Sequence, residues 1–341
     1  MSGPSGADLV TKAKKYREVE TIAHESVPNV AETLETISKF LQDHETPGLA
    51  DCTHMVFDNF GDWWQHSKSS CKLAIAEDNT LDMLHKHIST LYDLGIPLTL
   101  TEKRTPEIRF IQDIEILGTR DDKVSVEEIL DPATKLMNVL GRAMGEIYTT
   151  QTNLIAAVFD STGVCRTKGV MKTSVKIVWS NIIVDKDRAA RIHDFVVHKF
   201  KECQDQEVKD FSARVTGYNT ENHWGGIFSD AIYFGRFGVR MPLCDRVSPA
   251  PLKKPEQRPF KPVALLQFNF ADNQLAEVKR LDEQPEGFQW VQIGCIRRDV
   301  GTPLTDWTPP TWQGQRAPRP QSSAAYSNGG GGGGGGGFQG G

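Results

Sequence analysis

Residues 109–116 read Arg109-Phe110-Ile111-Gln112-Asp113-Ile114-Glu115-Ile116, an apolar run carrying two acids two positions apart. A β-strand sends residues i and i+2 to the same face. Phe110, Ile114 and Ile116 are therefore expected to face a core, with Asp113 and Glu115 projecting side by side from the opposite face. Adjacent carboxylates repel each other unless a cation sits between them. A hard, oxygen-seeking ion such as Mg²⁺ suits that position, and its commonest use is the handling of phosphates. Spacing alone leaves a second reading open, in which the two acids are solvated charges on an edge strand.

The 341 residues around this octet suffice for one large domain or two modest ones. With 38% hydrophobic and 24% charged residues the composition is globular, and no apolar run is long enough to cross a bilayer, so no membrane partner is expected. The N-terminal MSGPSGADLV has no basic start followed by an apolar segment, which predicts an intracellular protein. Cys52, Cys71, Cys165, Cys203, Cys244 and Cys295 form no CxxC pair, arguing against a disulfide framework and against zinc. A net charge of −5 confines any nucleic-acid contact to a local groove.

Residues 1–25 are polar and expected to be poorly ordered, and 26–305 are expected to form the folded domain. From Gly301 prolines accumulate and Gly329–Gly337 is an unbroken glycine run, so 306–341 reads as a flexible Pro/Gly-rich tail. Val30, Leu34, Ile37 and Leu41 predict a helix, and Leu84, Ile88 and Leu91 a second one ended by Gly95 and Pro97. Ser125 and Glu128 have capping-box spacing, and Asp131-Pro132 can start a helix carrying Leu136, Val139, Leu140 and Ile147. Residues 154–159, 172–179 and 264–270 read as strands, with a further strand in VQIGCIRRD. Asp187 is expected to cap a helix bearing Ile192, Phe195, Val196 and Lys199. A polar stretch follows, then a β-hairpin in IFSDAIYF-GRFG-VRM turning at Gly235 and Gly238. Helices and strands interleave without a strict βαβ rhythm, which predicts an α+β fold.

Three other D-x-[DE] pairs, Asp43/Glu45, Asp185/Asp187 and Asp205/Glu207, lie at helix ends or in polar sequence and read as structural or solvated charges. Between Ser161 and Ser180 the chain has Arg166, Lys168, Lys172 and Lys176 and no acid, a pattern open to phosphate binding or to a basic surface loop. Asp230 and Arg240 bracket the expected hairpin and read either as a salt bridge or as a metal ligand beside a phosphate ligand. His193 and His198 read as structural. Outside the glycine run Gly329–Gly337 the chain has no P-loop, GxGxxG or GxSxG motif, which removes the commonest ATPase, dinucleotide and hydrolase readings.

Taken in order, the acidic pair, the strand with Ser174 and Lys176, and the third acid Asp230 resemble the archaeo-eukaryotic primase superfamily. The likeness is greatest to its viral and eukaryotic branch: primases of nucleocytoplasmic large DNA viruses, herpesvirus primase subunits and eukaryotic primase-polymerases. LTLTEKRTPEIRFIQDIEI resembles the approach to that branch's first motif, KTSVKIVWSNIIVDKDRAARI its second, FSDAIYFGRFGVRMPLCDR its third, and IGCIRRDVGTPLT the short segment closing the domain. The resemblance spans roughly Thr53 to Thr305.

It implies an N-terminal α/β module packed on an RRM-like module, with the acids on the sheet between them. The implied activity is that of a DNA primase or primase-polymerase, a nucleotidyltransferase using NTPs or dNTPs on a single-stranded DNA template. Asp113, Glu115 and Asp230 would be catalytic and hold two Mg²⁺ or Mn²⁺ ions, and Lys172, Ser174, Lys176, Arg240 and Arg246 would bind the nucleotide. A separate helicase or replication protein is the implied partner, and the nucleus or a viral replication site the implied location. Lys176 stands where the family usually has histidine, and Arg246 where it has lysine. Lysine supplies a cation there but neither an acceptor nor a proton switch near neutral pH. The alternative is therefore a catalytically impaired module that binds nucleotide and single-stranded DNA in replication initiation.

Overall fold

The computed structural model describes residues 30–57, 70–165, 168–234, 238–247, 255–256 and 258–297. Its strands, in chain order, are β1 (His54–Phe57), β2 (Ser70–Leu73), β3 (Leu100–Glu102), β4 (Glu107–Leu117), β5 (Asn153–Asp160), β6 (Gly163–Cys165) and β7 (Val170–Asp185). They continue with β8 (Phe228–Ser229), β9 (Val239–Arg240), β10 (Arg246–Val247), β11 (Pro255–Glu256), β12 (Lys261–Ala271) and β13 (Gln274–Arg280). A large sheet runs β13-β12-β5-β7-β4-β8 with β6 on β7, a smaller one runs β2-β1-β3-β9, and β10 pairs with β11. With helices distributed along the same chain, the fold is α+β.

The octet lies inside β4, and its alternation is seen in the burial: Phe110, Gln112, Ile114 and Ile116 are buried, while Asp113 and Glu115 are partly exposed. Ile114 and Ile116 look onto Leu136, Met137, Phe200, Phe211 and Trp224, which belong to helices Leu136–Ile147, Lys186–Glu202, Gln206–Tyr218 and Trp224–Ile227. Those helices cover one face of the large sheet, which leaves the opposite face of β4 to the acids. Gln112 is buried in this core, where its Oε1 accepts a hydrogen bond from Trp179 Nε1 at 2.8 Å.

A second core joins the small sheet to helices Val30–Asp43 and Asp78–Asp93 through Leu34, Ile37, Leu41, Leu84, Ile88 and Leu91. These are the apolar stripes the sequence predicts. Met241, Leu243, Val291 and Cys295 enter the same core from the C-terminal half. The chain passes from β3 in the small sheet to β4 in the large one through a short link, so both sheets fix the start of the acid-bearing strand. Arg109 adds a tie: its Nη1 donates to the carbonyls of Gln292 at 2.6 Å and Cys295 at 3.0 Å, at the C-terminal end of helix Phe288–Gly294.

Several expectations need correction. Within VQIGCIRRD, residues 291–297 form no strand; they lie in or just after helix Phe288–Gly294, whose Trp290 and Val291 are buried, so tertiary burial decides against the β-branched composition. The polar stretch after Cys203 contains helix Gln206–Tyr218, with Val208, Phe211 and Val215 buried at helical spacing. Asp185, not Asp187, caps helix Lys186–Glu202, accepting from the Arg188 N–H at 2.7 Å. Ser125 caps as expected, but the next long helix starts only at Leu136, after a short 3₁₀ turn and a left-handed Lys135. Among the described residues the expected hairpin does not form: β8 pairs with β4 and β9 pairs with β3, in different sheets. Gly235 lies outside the described residues, as do the expected disordered N-terminus and Pro/Gly-rich tail.

None of the six cysteines is joined in a disulfide, and Cys52, Cys71, Cys244 and Cys295 are buried. Among the described residues no helix is long and apolar enough to cross a membrane.

Gly294 shows how closely the C-terminal helix sits on the large sheet, since a Cβ there would lie 2.5 Å from both Phe159 Cζ and Pro242 Cγ. Phe159 cannot easily yield, because it is packed between Phe260 and Trp290. Gly294→Ala is therefore expected to cost about 1–3 kcal/mol in urea unfolding despite alanine's better helix propensity. Unchanged stability would contradict this packing.

Candidate functional site

β7 answers β4 residue for residue: Asp113 lies opposite Lys176, Glu115 opposite Ser174 and Leu117 opposite Lys172. Directly opposed side chains in an antiparallel pair share a face. The acids and the Ser-x-Lys pattern therefore meet on one surface. Ser229 of β8 lies opposite Asp113 on its other side. β4 is thus an interior strand, and the edge-strand reading of its acids does not hold.

Lys172 Nζ donates to Glu115 Oε1. Lys176 is buried, with Nζ 4.6 Å from the centroid of the Phe260 ring, and Arg240 Cζ lies 4.7 Å from the same centroid. Phe260 in turn stacks on Phe159, which stands opposite Lys176 on β5, with centroids 5.4 Å apart and planes at 10°. Arg240 is aimed by two bonds, from Nη2 to Ser161 Oγ at 2.7 Å and from Nη1 to the Arg258 carbonyl at 2.8 Å. Arg246, opposite Glu256 in the small β10-β11 pair, is close enough for its charge to act on Glu115, Lys176 and Arg240.

These charges shape one another's protonation. Burial pushes Asp113 above the usual carboxylate range; Lys176 opposes that shift and Glu115 reinforces it. Burial would also raise Glu115, but Lys172's charge and hydrogen bond, helped by Arg246 and Lys176, hold it below its ordinary value. Lys176 is brought down to about 8 by burial, with Asp113 pulling the other way and Arg240 adding to the fall. Arg240 falls to about 10 through burial and the neighbouring Arg246 and Arg258. Burial thus brings the lysine at 176 nearer to neutral pH than an exposed lysine.

Asp230 follows Ser229, the residue in register with Asp113, and lies just past the end of β8. Among the described residues no three His, Cys, Asp or Glu side chains gather into a ready metal cage. Tyr233, one short turn later, feels the charges of both Asp113 and Asp230 and donates its hydroxyl to the Ile111 carbonyl at 2.6 Å, linking the two segments. Of the expected basic cluster, Lys168 is drawn to Glu221 at 2.5 Å, and Arg166 lies outside the described residues. The other acidic pairs have structural partners: Asp43 with Lys39 at 2.7 Å, Asp205 with Arg142 at 2.6 Å and Glu207 with Lys135 at 2.8 Å. His193 packs edge-on to Tyr233, a structural role as expected.

Ser161, Arg258 and Phe260 belong to the site and were not singled out by the sequence. Asp160-Ser161-Thr162-Gly163 does carry a turn signature, and the turn is built by Asp160 Oδ1 accepting from the Thr162 N–H at 2.8 Å. Arg258-Pro259-Phe260 has no periodicity to reveal it, since its place depends on contacts with distant strands.

The buried Lys176 gives a pH signature. Between about pH 8 and its unfolded value of 10.5, the unfolded chain keeps a proton that the folded chain has released. Stability contributed by this group therefore rises with pH across that window and is constant and lowest below it. In urea unfolding, wild type is expected to gain on Lys176→Met as pH climbs from 8 toward 10.5. A difference that stays flat would contradict a buried lysine with a depressed pKa.

Residues 65–241 match the family model described as the C962R protein N-terminal AEP domain. No curated protein matches the chain. The matched stretch holds Asp113, Glu115, Lys172, Ser174, Lys176, Asp230 and Arg240 and stops short of Arg246 and Arg258. A face on which paired carboxylates oppose a Ser-x-Lys strand, within a match covering half the chain, places the protein in the archaeo-eukaryotic primase superfamily, in the viral primase-polymerase type of nucleotidyltransferase domain.

Proposed function

We propose that this chain is the catalytic core of a DNA primase or primase-polymerase, adding NTPs or dNTPs by template-directed nucleotidyl transfer on single-stranded DNA. The observation that carries the proposal is the common face of β4 and β7, where Asp113 and Glu115 lie opposite Lys176 and Ser174. Arg240 and Arg246 are within electrostatic reach of the same groups. Acids for metal ions and cations for phosphates are thereby held on one rigid surface.

The residues suit a divalent cation. Asp113 Oδ1 is buried and has no hydrogen-bond partner among the described residues, a costly arrangement that a hard cation relieves. Asp113 and Glu115 would hold the ions, with Asp230 as the third acid. Bound Mg²⁺ or Mn²⁺ supplies activation of the attacking 3′ hydroxyl and neutralisation of the leaving pyrophosphate.

The chain's own side chains supply the rest. Lys172 holds Glu115, and Lys176 faces Asp113. A triphosphate seated over β7 attracts both ammonium groups, and Lys172 in turning to phosphate frees Glu115 for metal. A polyanion also favours the charged form of Lys176 and so offsets the effect of its burial. Ser174 can donate its hydroxyl to a phosphate oxygen, and Arg240 arrives already oriented by Ser161 and the Arg258 carbonyl. Holding two reactants in place is the main task here, since positioning can supply ~7 to 11 kcal/mol of a barrier.

The second reading, a catalytically impaired module binding nucleotide and single-stranded DNA, draws on Lys176 at the usual histidine position and on the lack of a three-acid cage among the described residues. Primer synthesis on a single-stranded template with Mn²⁺ separates the two. Wild type is expected to make product, and Asp113→Asn or Glu115→Gln to lower the rate by about 100-fold or more. Nucleotide binding without synthesis would assign the second reading. Equal synthesis by wild type and Asp113→Asn would refute the first.

A further inference from the structure

Arg258 lies beyond the family match, yet it forms one wall of the acid-bearing face. Gly163 of β6 stands opposite Lys172 of β7, so it shares the face of Glu115 and Ser174. A Cβ on Gly163 would come within 2.6 Å of Arg258 Cδ, so the arginine stem lies on glycine's bare backbone. Arg258 Nη1 donates to the Val164 carbonyl at 3.0 Å, which fixes the guanidinium over β6. Two residues on, Phe260 lies beneath both Lys176 and Arg240, and the Arg258 carbonyl accepts from Arg240.

The face therefore has an order. Asp113 and Glu115 stand on β4, Lys172, Ser174 and Lys176 on β7, and Arg240 and Arg258 over β5 and β6. Neighbouring strands lie about 4.8 Å apart, which puts Gly163 roughly 10 Å from β4. Arg258 is 9% exposed, and its charge adds to the burial and to Arg246 in disfavouring the charged form of Arg240. Like charges packed this way are stabilised by a polyanion lying between them.

We propose that Arg258 holds the terminal phosphate of the bound nucleoside triphosphate and so sets selectivity for triphosphates over diphosphates. The inference rests on the nucleotide site proposed above. With the reacting phosphate held at the carboxylates of β4, the phosphate chain runs across β7 toward β6, and Arg258 meets its far end. Its planar fork can grip that phosphate through two parallel hydrogen bonds, which a lysine cannot do. Gly163 is what allows the side chain to lie so low on the sheet.

The test is calorimetric binding of dATP and dADP to the full chain, with Ca²⁺ replacing the catalytic ion to prevent turnover. Arg258→Met is expected to weaken dATP about tenfold and leave dADP within about twofold, as loss of one charged phosphate contact requires. Arg258→Lys, which keeps the charge without the fork and guards against a folding defect, is expected to fall between the two. Gly163→Val, which displaces the side chain without removing it, is expected to reproduce the loss for dATP. An unchanged ratio of dATP to dADP affinity in all three variants overturns the role of Arg258, and leaves the nucleotide site standing if wild type binds both. Failure of wild type to bind either nucleotide overturns the site and this inference together.

Discussion

A slip of one residue between β4 and β7 would turn Asp113 and Glu115 into the core and expel Ile114 and Ile116 from it. The register of this strand pair is the constraint on which the remaining structure depends. It is set from the apolar side, where Ile114 and Ile116 must meet the helix residues Leu136, Phe200 and Trp224. The polar side follows without further choice. Once the isoleucines are buried, Asp113 and Glu115 must take the other face, the one that carries Ser174 and Lys176 on β7.

This arrangement places opposite charges in a partly buried setting, where neither set is fully satisfied by the other. Glu115 is held ionised by Lys172, whereas burial pushes Asp113 toward protonation and Lys176 toward neutrality. Titratable groups displaced from their ordinary ranges on a common surface are typical of functional sites, because a folded core gains little from them. The surplus is cationic toward β5 and β6, where Arg240 and Arg258 approach each other, and acidic toward β4. A metal-bound polyphosphate has the complementary polarity along its own length.

The octet was legible in the sequence because a half-buried strand writes its two faces as a period of two, and both faces here are chemically distinct. The two N-terminal helices were legible for the same reason at a period of 3.6, through Leu34, Ile37 and Leu41 and through Leu84, Ile88 and Leu91. What could not be read locally was long-range. The segment from Phe228 to Arg240 looks like a hairpin, yet β8 and β9 find partners in separate sheets, and only the tertiary fold makes that choice. VQIGCIRRD has strand-like composition but lies largely in a helix and its exit, where Trp290 and Val291 are buried and Arg109 satisfies the terminal carbonyls. Arg258 was invisible because its role comes from lying over Gly163, far away in the sequence.

The central claim is that Lys172 of β7 holds Glu115 of β4 until a triphosphate takes the lysine over. Mn²⁺ affinity, read by electron paramagnetic resonance with and without a non-hydrolysable deoxynucleoside triphosphate, tests it most directly. The account predicts weak Mn²⁺ binding alone and binding at least about tenfold tighter with the nucleotide, a coupling of ordinary size for linked sites. The same Mn²⁺ affinity in both conditions, or undiminished affinity in Glu115→Gln, would contradict it.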